Sequence, residues 1–179
     1  MINKIPLFII LVIGIIITGI TTADNLTLNN LSEYTIKSVN LPAGYQVVDN
    51  GTDFSLNGTC KSDFCLKKGY EIAYYNDSVY ITHTIMEYSK PVTTDNLLKV
   101  FNETYPQVST WVTDKLNSTK LNGNSIAYSY TIPAEMQPVG IMKGYVIILG
   151  NGDLYQTFET INGQYTDLLK FAEITLQKK

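Results

Sequence analysis

A single histidine, two cysteines and sixteen acidic residues are the groups with which this 179-residue chain could build catalysis or hold a metal. His83 lies in the apolar run from Val79 to Tyr88, on the same strand face as Val79, Ile81 and Ile85. An imidazole can act as a general base or a ligand. Alone on an apolar face, it is expected instead to be a hydrogen-bonded core residue. One histidine and two cysteines also leave no Ser/His/Asp or Cys/His set to assemble. Among the acids, Glu71, Glu87, Glu135 and Glu159 fall in or beside strand-like runs. A pair of carboxylates could do general acid–base work, but their spacing singles out no pair, and solvated charges are the default expectation.

Cys60 and Cys65 are separated by four residues in CKSDFC. A zinc site needs three or four ligands, and redox pairs read CxxC. A disulfide is therefore expected, worth about 2 kcal/mol for so short a loop. The chain has no Gly-rich phosphate loop, HExxH or EF-hand ladder. No cofactor and no metal are expected, and Asn151-Gly152-Asp153 is read as a hairpin turn.

Thirteen tyrosines are the compositional oddity. Tyrosine suits half-buried strands, with its ring inside and its hydroxyl wet. Tyr128 and Tyr130 share a strand face, while Tyr74, Tyr75, Tyr80 and Tyr88 crowd the neighbouring hairpin. Burial under helices accounts for most of them. Left exposed, the last four would form an aromatic surface able to stack on a glycan or anchor a protein.

The elements that position these residues begin after an address. Lys4 precedes an uncharged apolar run from Ile5 to Ile20, and Ala23 ends in a small-residue context suited to cleavage. The run of about 16 residues is long for a signal and short against the roughly 17–25 that span a bilayer. Residues 1–23 are thus expected to be a signal peptide or a transmembrane anchor, with retention in the membrane favoured. Lys4 before the run and Asp24 after it put the remainder outside. Seven Asn-X-Ser/Thr sequons, at Asn25, Asn30, Asn50, Asn57, Asn76, Asn102 and Asn117, suit an exported glycoprotein. The net charge of −3 and the absence of arginine exclude the basic patch of a nucleic-acid binder.

Residues 24–33 read as a polar linker and 34–179 as one extracytoplasmic domain. A first strand is expected from Tyr34 to Leu41, then a hairpin across Asn50-Gly51 and another across residues 76–78. A helix follows, capped by Thr93 or Thr94, with Leu97, Leu98, Phe101 and Tyr105 as its stripe and Pro106 as its end. Strands are expected from Ser109 to Leu121, from Ile126 to Ile132, and in a hairpin joining 144–149 to 154–161. With Asn151-Gly152 as the turn, Leu149 would oppose Leu154, Ile147 Gln156, and Tyr145 Phe158. A last helix from Thr166 to Gln177 would bury Leu168, Leu169, Ala172 and Leu176.

The expected class is α+β: an N-terminal transmembrane or signal helix, then an antiparallel sheet of about 6–8 strands with two helices on one face. The order of an early strand ending in Leu41-Pro42-Ala43-Gly44-Tyr45, a mid-chain helix, the Asn151-Gly152 hairpin and a closing helix resembles the PsbP/Mog1-like domains. That resemblance spans Tyr34 to Leu176 and implies a small α+β sandwich used as an extracytoplasmic binding or assembly subunit. It carries over no functional residue. The chain is therefore read as a non-enzymatic binding or structural module of the cell envelope, membrane-anchored through Ile5 to Ile20 or secreted. Its expected partner is a surface protein or a glycan. The alternative is an extracytoplasmic hydrolase using carboxylates.

Overall fold

β-Branched and aromatic residues at a period of two make the long strands of this protein, and a chain of antiparallel pairings joins them edge to edge. The computed structural model describes residues 30–48, 51–54, 64–77, 79–121, 124–134 and 142–177. In chain order these form β1 (Gln46–Val47), β2 (Thr52–Phe54), β3 (Leu66–Asn76), β4 (Val79–Tyr88), α1 (Thr94–Thr104), α2 (Pro106–Trp111), β5 (Val112–Lys115), β6 (Ser125–Thr131), β7 (Lys143–Asn151), β8 (Leu154–Ile161) and α3 (Tyr165–Leu176). The fold is α+β. Its eight strands form one antiparallel sheet in the order β1-β3-β4-β8-β7-β6-β5, with β2 also on β3.

The helices do not share one face, contrary to expectation. Alternate residues of β7 point opposite ways. Ile147 and Leu149 join Ile81, Ile85, Phe158, Leu168 and Phe171 in one core. Val146 and Ile148 join Met86, Leu97, Phe101, Tyr128 and Tyr155 in another. α3 covers the first face and α1 with α2 the second, so the sheet is the middle of three layers.

Further expectations are corrected. Residues 34–41 form no strand. Leu31–Tyr34 and Ser38–Asn40 are 3-10 turns, and Leu31, placed in the expected linker, is 2% exposed and belongs to the core. β1 and β2 do not pair with each other; they follow one another along the same edge of β3. Pro106 closes α1 but opens α2, because its missing N–H costs nothing at a helix start. Residues 109–111 are therefore helical, and the strand begins at Val112. Leu98 is 47% exposed while Val100 takes its place in the buried stripe of α1. At the start of that helix the Thr93 N–H donates to Asn96 Oδ1 at 2.7 Å. In α3 the buried set is Leu168, Phe171 and Ala172, with Gln164 rather than Thr166 at the cap.

The β7–β8 hairpin forms where expected, but its register is slipped by two. Asn151 opposes Leu154, Leu149 opposes Gln156, Ile147 opposes Phe158 and Tyr145 opposes Thr160. Gly152 and Asp153 are thus the central pair. Only Gly152 has a positive φ, at 64°, and this fits a type II′ rather than a type I′ turn. A slip of two preserves the side-chain face, so the predicted core face of this hairpin survives the change of partners. Gly152→Val should still cost about 1–3 kcal/mol, because a β-branched residue is strained at that φ. No atom lies within 4 Å of the position a Cβ would take, so Gly152→Asn should recover most of the loss. Denaturant unfolding of the two variants measures both.

Candidate functional site

Cross-strand partners point to the same side of a sheet, so the register assigns residues to the α1/α2 face in rows. One row runs Glu71, Thr84, Thr157 and the next Ala73, Thr82, Glu159, Val146, Tyr128. Beyond them lie the pairs Tyr75 with Tyr80 and Ile161 with Gly144, the latter opposite Tyr130. α1 rests mainly on β6 and β7 and α2 on β6. The β3–β4 corner is outside that footprint, and Ala73, Tyr75, Tyr80, Glu159 and Ile161 there are only partly buried.

A hydrogen-bonded network runs beneath the junction of the two helices. The residue before a proline is pushed out of the helical region, and Tyr105 accordingly takes φ −124°, ψ 61° between α1 and α2. This break aims its ring inward. The Tyr105 hydroxyl lies 3.2 Å from Thr157 Oγ1 and within hydrogen-bond reach of Thr84. Thr84 Oγ1 in turn donates to Glu71 Oε2 at 3.2 Å. Burial drives the Tyr105 phenol well above its ordinary range, and the nearby Glu159 and Glu71 carboxylates add to this.

Glu159 accepts a hydrogen bond from the Tyr130 hydroxyl. Tyr130 is on β6 and Glu159 on β8, so the tyrosine must cross β7. It does so over Gly144, where any side chain would overlap its ring. Burial raises the Glu159 carboxyl above the ordinary glutamate range, and the Tyr130 bond opposes that shift. Tyr155, on the same face of β8, has a wholly buried hydroxyl with no hydrogen-bond partner among the described residues. The assembly is a set of hydroxyls and carboxylates able to donate to and accept from a polar ligand.

The sign of one pH effect follows. A carboxyl whose folded pKa is raised binds its proton more tightly when folded, so its contribution to stability is fully present below the unfolded value. That contribution is lost as pH rises from the ordinary glutamate range through the raised folded value. Glu159→Gln keeps an oxygen to accept from Tyr130 but removes the charge. We expect this variant to be more stable than the parent at pH 7 and to lack that part of the decline. Urea unfolding across pH 4–8 checks it, and equal pH profiles would overturn it.

The other sequence-predicted residues fall elsewhere. His83 is fully buried on the α3 face, stacked on Phe158 with centroids 4.1 Å apart, and its Nε2 lies 3.0 Å from Gln156 Oε1. It is a core histidine. Burial acts to raise the Glu87 carboxyl, but Lys67 at 3.0 Å and Lys68 at 3.1 Å hold it below the ordinary range. Glu135 lies outside the described residues. The four-tyrosine surface does not form as one patch: Tyr74 is buried on the α3 face, and Tyr88 is buried with its phenol pushed up to about 12 by burial. Tyr75 and Tyr80 remain, with rings 4.6 Å apart.

Cys60 lies outside the described residues, as does the run from Ile5 to Ile20; Cys65 carries no free thiol. No helix among the described residues is long and apolar enough to cross a membrane. Of the sequons, Asn30, Asn102 and Asn117 are exposed and Asn76 is partly buried, while Asn25, Asn50 and Asn57 fall outside the described residues. No cluster of three His, Cys, Asp or Glu side chains that could hold a metal occurs among the described residues.

Sequence reasoning missed Tyr105, Tyr130, Thr157 and Gly144 as members of this network. The available signal was the glycine inside a strand, which often marks close approach by another group. No family model, curated relative or solved structure matches the chain.

Proposed function

We propose that this chain is an exported binding module of the cell envelope, membrane-anchored or secreted, whose recognition surface is the β3–β4–β8 corner of the α1/α2 face. One observation carries the reading. Tyr75 and Tyr80 are cross-strand partners with adjacent, partly exposed rings, on the same face as the Glu71–Thr84–Thr157 row. An apolar platform with a few convergent polar groups is the usual make-up of a recognition site. The extracytoplasmic placement is supported by the apolar amino-terminal run, the sequon excess and the CKSDFC pair. The architecture-level resemblance to PsbP/Mog1-like domains suits the same role.

The test is site-directed photo-crosslinking on intact cells, with the probe at position 80 and a control probe at Val39, which is 87% exposed in the 3-10 turn Ser38–Asn40. A discrete adduct at position 80 and none at 39 is expected. Equal labelling at both positions would remove the surface from consideration. Amino-terminal sequencing of the native protein decides the anchor, since a start at Asp24 means release.

A hydrolase remains the second reading, favoured by one feature. Glu71 and Glu159 share a face, and Glu159 is the carboxyl raised by burial, as a general acid requires. Turnover of aryl glycosides or esters that is lost in both Glu71→Gln and Glu159→Gln would establish it.

A further inference from the structure

Resting on the export reading, we infer that Asn117 is an N-glycosylation site and that Asn76, the sequon beside the proposed recognition corner, stays bare. A transferase that glycosylates a sequon must hold two groups at once, the asparagine amide and the hydroxyl two residues on. The folded chain presents that pair very differently at its four described sequons, Asn30, Asn76, Asn102 and Asn117.

At Asn117 both groups are open. Asn117 and Thr119 are exposed, in the connection that follows β5. The Thr119 N–H donates to Asn117 Oδ1 at 2.9 Å, an Asx turn that folds the sequon back on itself. A donor on Oδ1 also draws charge from the amide and makes its N–H more acidic. The backbone is fixed, because the Tyr165 hydroxyl donates to the Asn117 carbonyl at 2.7 Å. There is room for a sugar as well. β5 ends the sheet, pairs with β6 alone among the described strands, and exposes Thr113, Asp114 and Lys115. The donor is a polyprenyl-phosphate-linked oligosaccharide of the exporting membrane. Asn117 Nδ2 bonds to the sugar C1, the bond from C1 to the lipid phosphate oxygen breaks, and that phosphate leaves with the amide proton. Nothing is oxidised or reduced.

The other three are obstructed, each in its own way. Asn76 is partly buried, and a Cβ placed on Gly44 would meet its Nδ2 and Oδ1 at 3.2 Å, so the amide lies against the Gly44 backbone where a sugar has no space. Asn102 is exposed but stands in the last turn of α1, and its partner hydroxyl is engaged: Thr104 Oγ1 lies 2.6 Å from the hydroxyl of the buried Tyr88. At Asn30 the two groups are bonded to each other, since Oδ1 accepts from the Ser32 N–H at 3.1 Å and the Ser32 hydroxyl at 2.7 Å. Leu31 between them is 2% exposed and part of the core. An enzyme meeting the folded domain would have to open α1 or lift Leu31 to use these two, and such local opening is rare in packed elements.

This placement bears on the recognition corner. β5 lies four strands from β4 in the sheet order, about 19 Å at the usual strand spacing. A bulky, hydrated glycan on Asn117 therefore leaves Tyr75 and Tyr80 clear. One on Asn76 would stand at the end of β3, next to the tyrosine pair.

The test has two arms. Glycopeptide mass spectrometry of the protein from its own cells should find sugar on Asn117 and none on Asn76. The second arm uses the full chain in detergent, made in a host without N-glycosylation and shown to be folded by near-UV circular dichroism. It is incubated with a single-subunit oligosaccharyltransferase and a chitobiosyl polyprenyl pyrophosphate. Asn117 should be modified at least about tenfold faster than Asn30, Asn76 or Asn102, and peptides spanning the four sequons should lose that preference. A bare Asn117 or a glycosylated Asn76 in the native protein would overturn the inference. So would a folded chain without the preference, or peptides that keep it. If surface labelling finds the domain outside the membrane while Asn117 is bare, the export reading stands and the site falls. If the domain is not outside, both fall.

Discussion

Replacing Phe171 with alanine is expected to lower the unfolding free energy by about 3–5 kcal/mol, the largest loss for any single truncation in this protein. Phe171 is fully buried on α3, and three other rings surround it. Tyr45 meets it edge-on at 5.0 Å, Tyr74 lies at 5.1 Å and Phe158 at 6.5 Å. These neighbours come from the amino-terminal segment, β3 and β8, so the cavity would open where three elements meet under α3. Tyr74 cannot collapse into it without leaving the Ile36 N–H, which donates to the Tyr74 hydroxyl oxygen at 3.0 Å. Phe158 is held on its other side by His83. Phe171→Leu, which keeps most of the volume, should cost well under half as much. Chemical denaturation of the two variants gives the comparison. A Phe171→Ala loss below about 1.5 kcal/mol would mean that α3 is not docked on this face as described.

The same helix shows which part of the fold was readable. Its position, and those of β3, β4, β6, β7 and β8, followed from apolar period alone, because each buries a stripe or a face that the sequence must mark. Which face each helix would cover was not marked. A helical stripe records that a helix is buried on one side, without recording against what. The better signal was in β7, where the unbroken apolar run from Tyr145 to Leu149 belongs to a strand covered on both sides. That run argued for three layers, and reading it as an alternating strand led to two.

Turn chemistry failed for a different reason. Asn151-Gly152 satisfies a type I′ turn, but the tip is held by tertiary bonds that no dipeptide records. The Val92 N–H donates to the Gly152 carbonyl at 2.6 Å and the Tyr88 N–H to the Asp153 carbonyl at 2.8 Å. These bonds dock the tip against the end of β4 and favour Gly152-Asp153 at the centre. Because the slip is two, the core residues were identified correctly while their partners were not. The candidate site was less legible still. The spacing puts Tyr105 in the stripe of α1, whereas it stands at the break after that helix; Tyr130 does lie on a buried strand face, but the two hydroxyls meet Thr157 and Glu159 only through pairings distant in sequence.

The network around Glu159 makes Gly144 the other position of large effect. A Cβ at Gly144 would overlap the far end of the Tyr130 ring. Tyr130 is fully buried, so its ring cannot move aside without disturbing the packing around it. Gly144→Ala must therefore push the ring off β7 and withdraw its hydroxyl from Glu159, leaving a partly buried carboxyl short of a donor. Overpacking of this kind costs about 1–3 kcal/mol, and loss of a hydrogen bond to a charged group adds about 1.5–3 kcal/mol. The two terms separate in a double-mutant cycle. In a Tyr130→Ala background there is no ring to displace and no hydroxyl to lose, so Gly144→Ala should then cost little, giving a coupling close to the whole single-variant cost of about 2.5–6 kcal/mol. In Tyr130→Phe, which lacks the hydroxyl but keeps the ring, the steric part alone should survive. Additivity of Gly144→Ala with Tyr130→Ala would show that the tyrosine does not lie across β7, and the bond that orients Glu159 toward the β3–β4 corner would go with it.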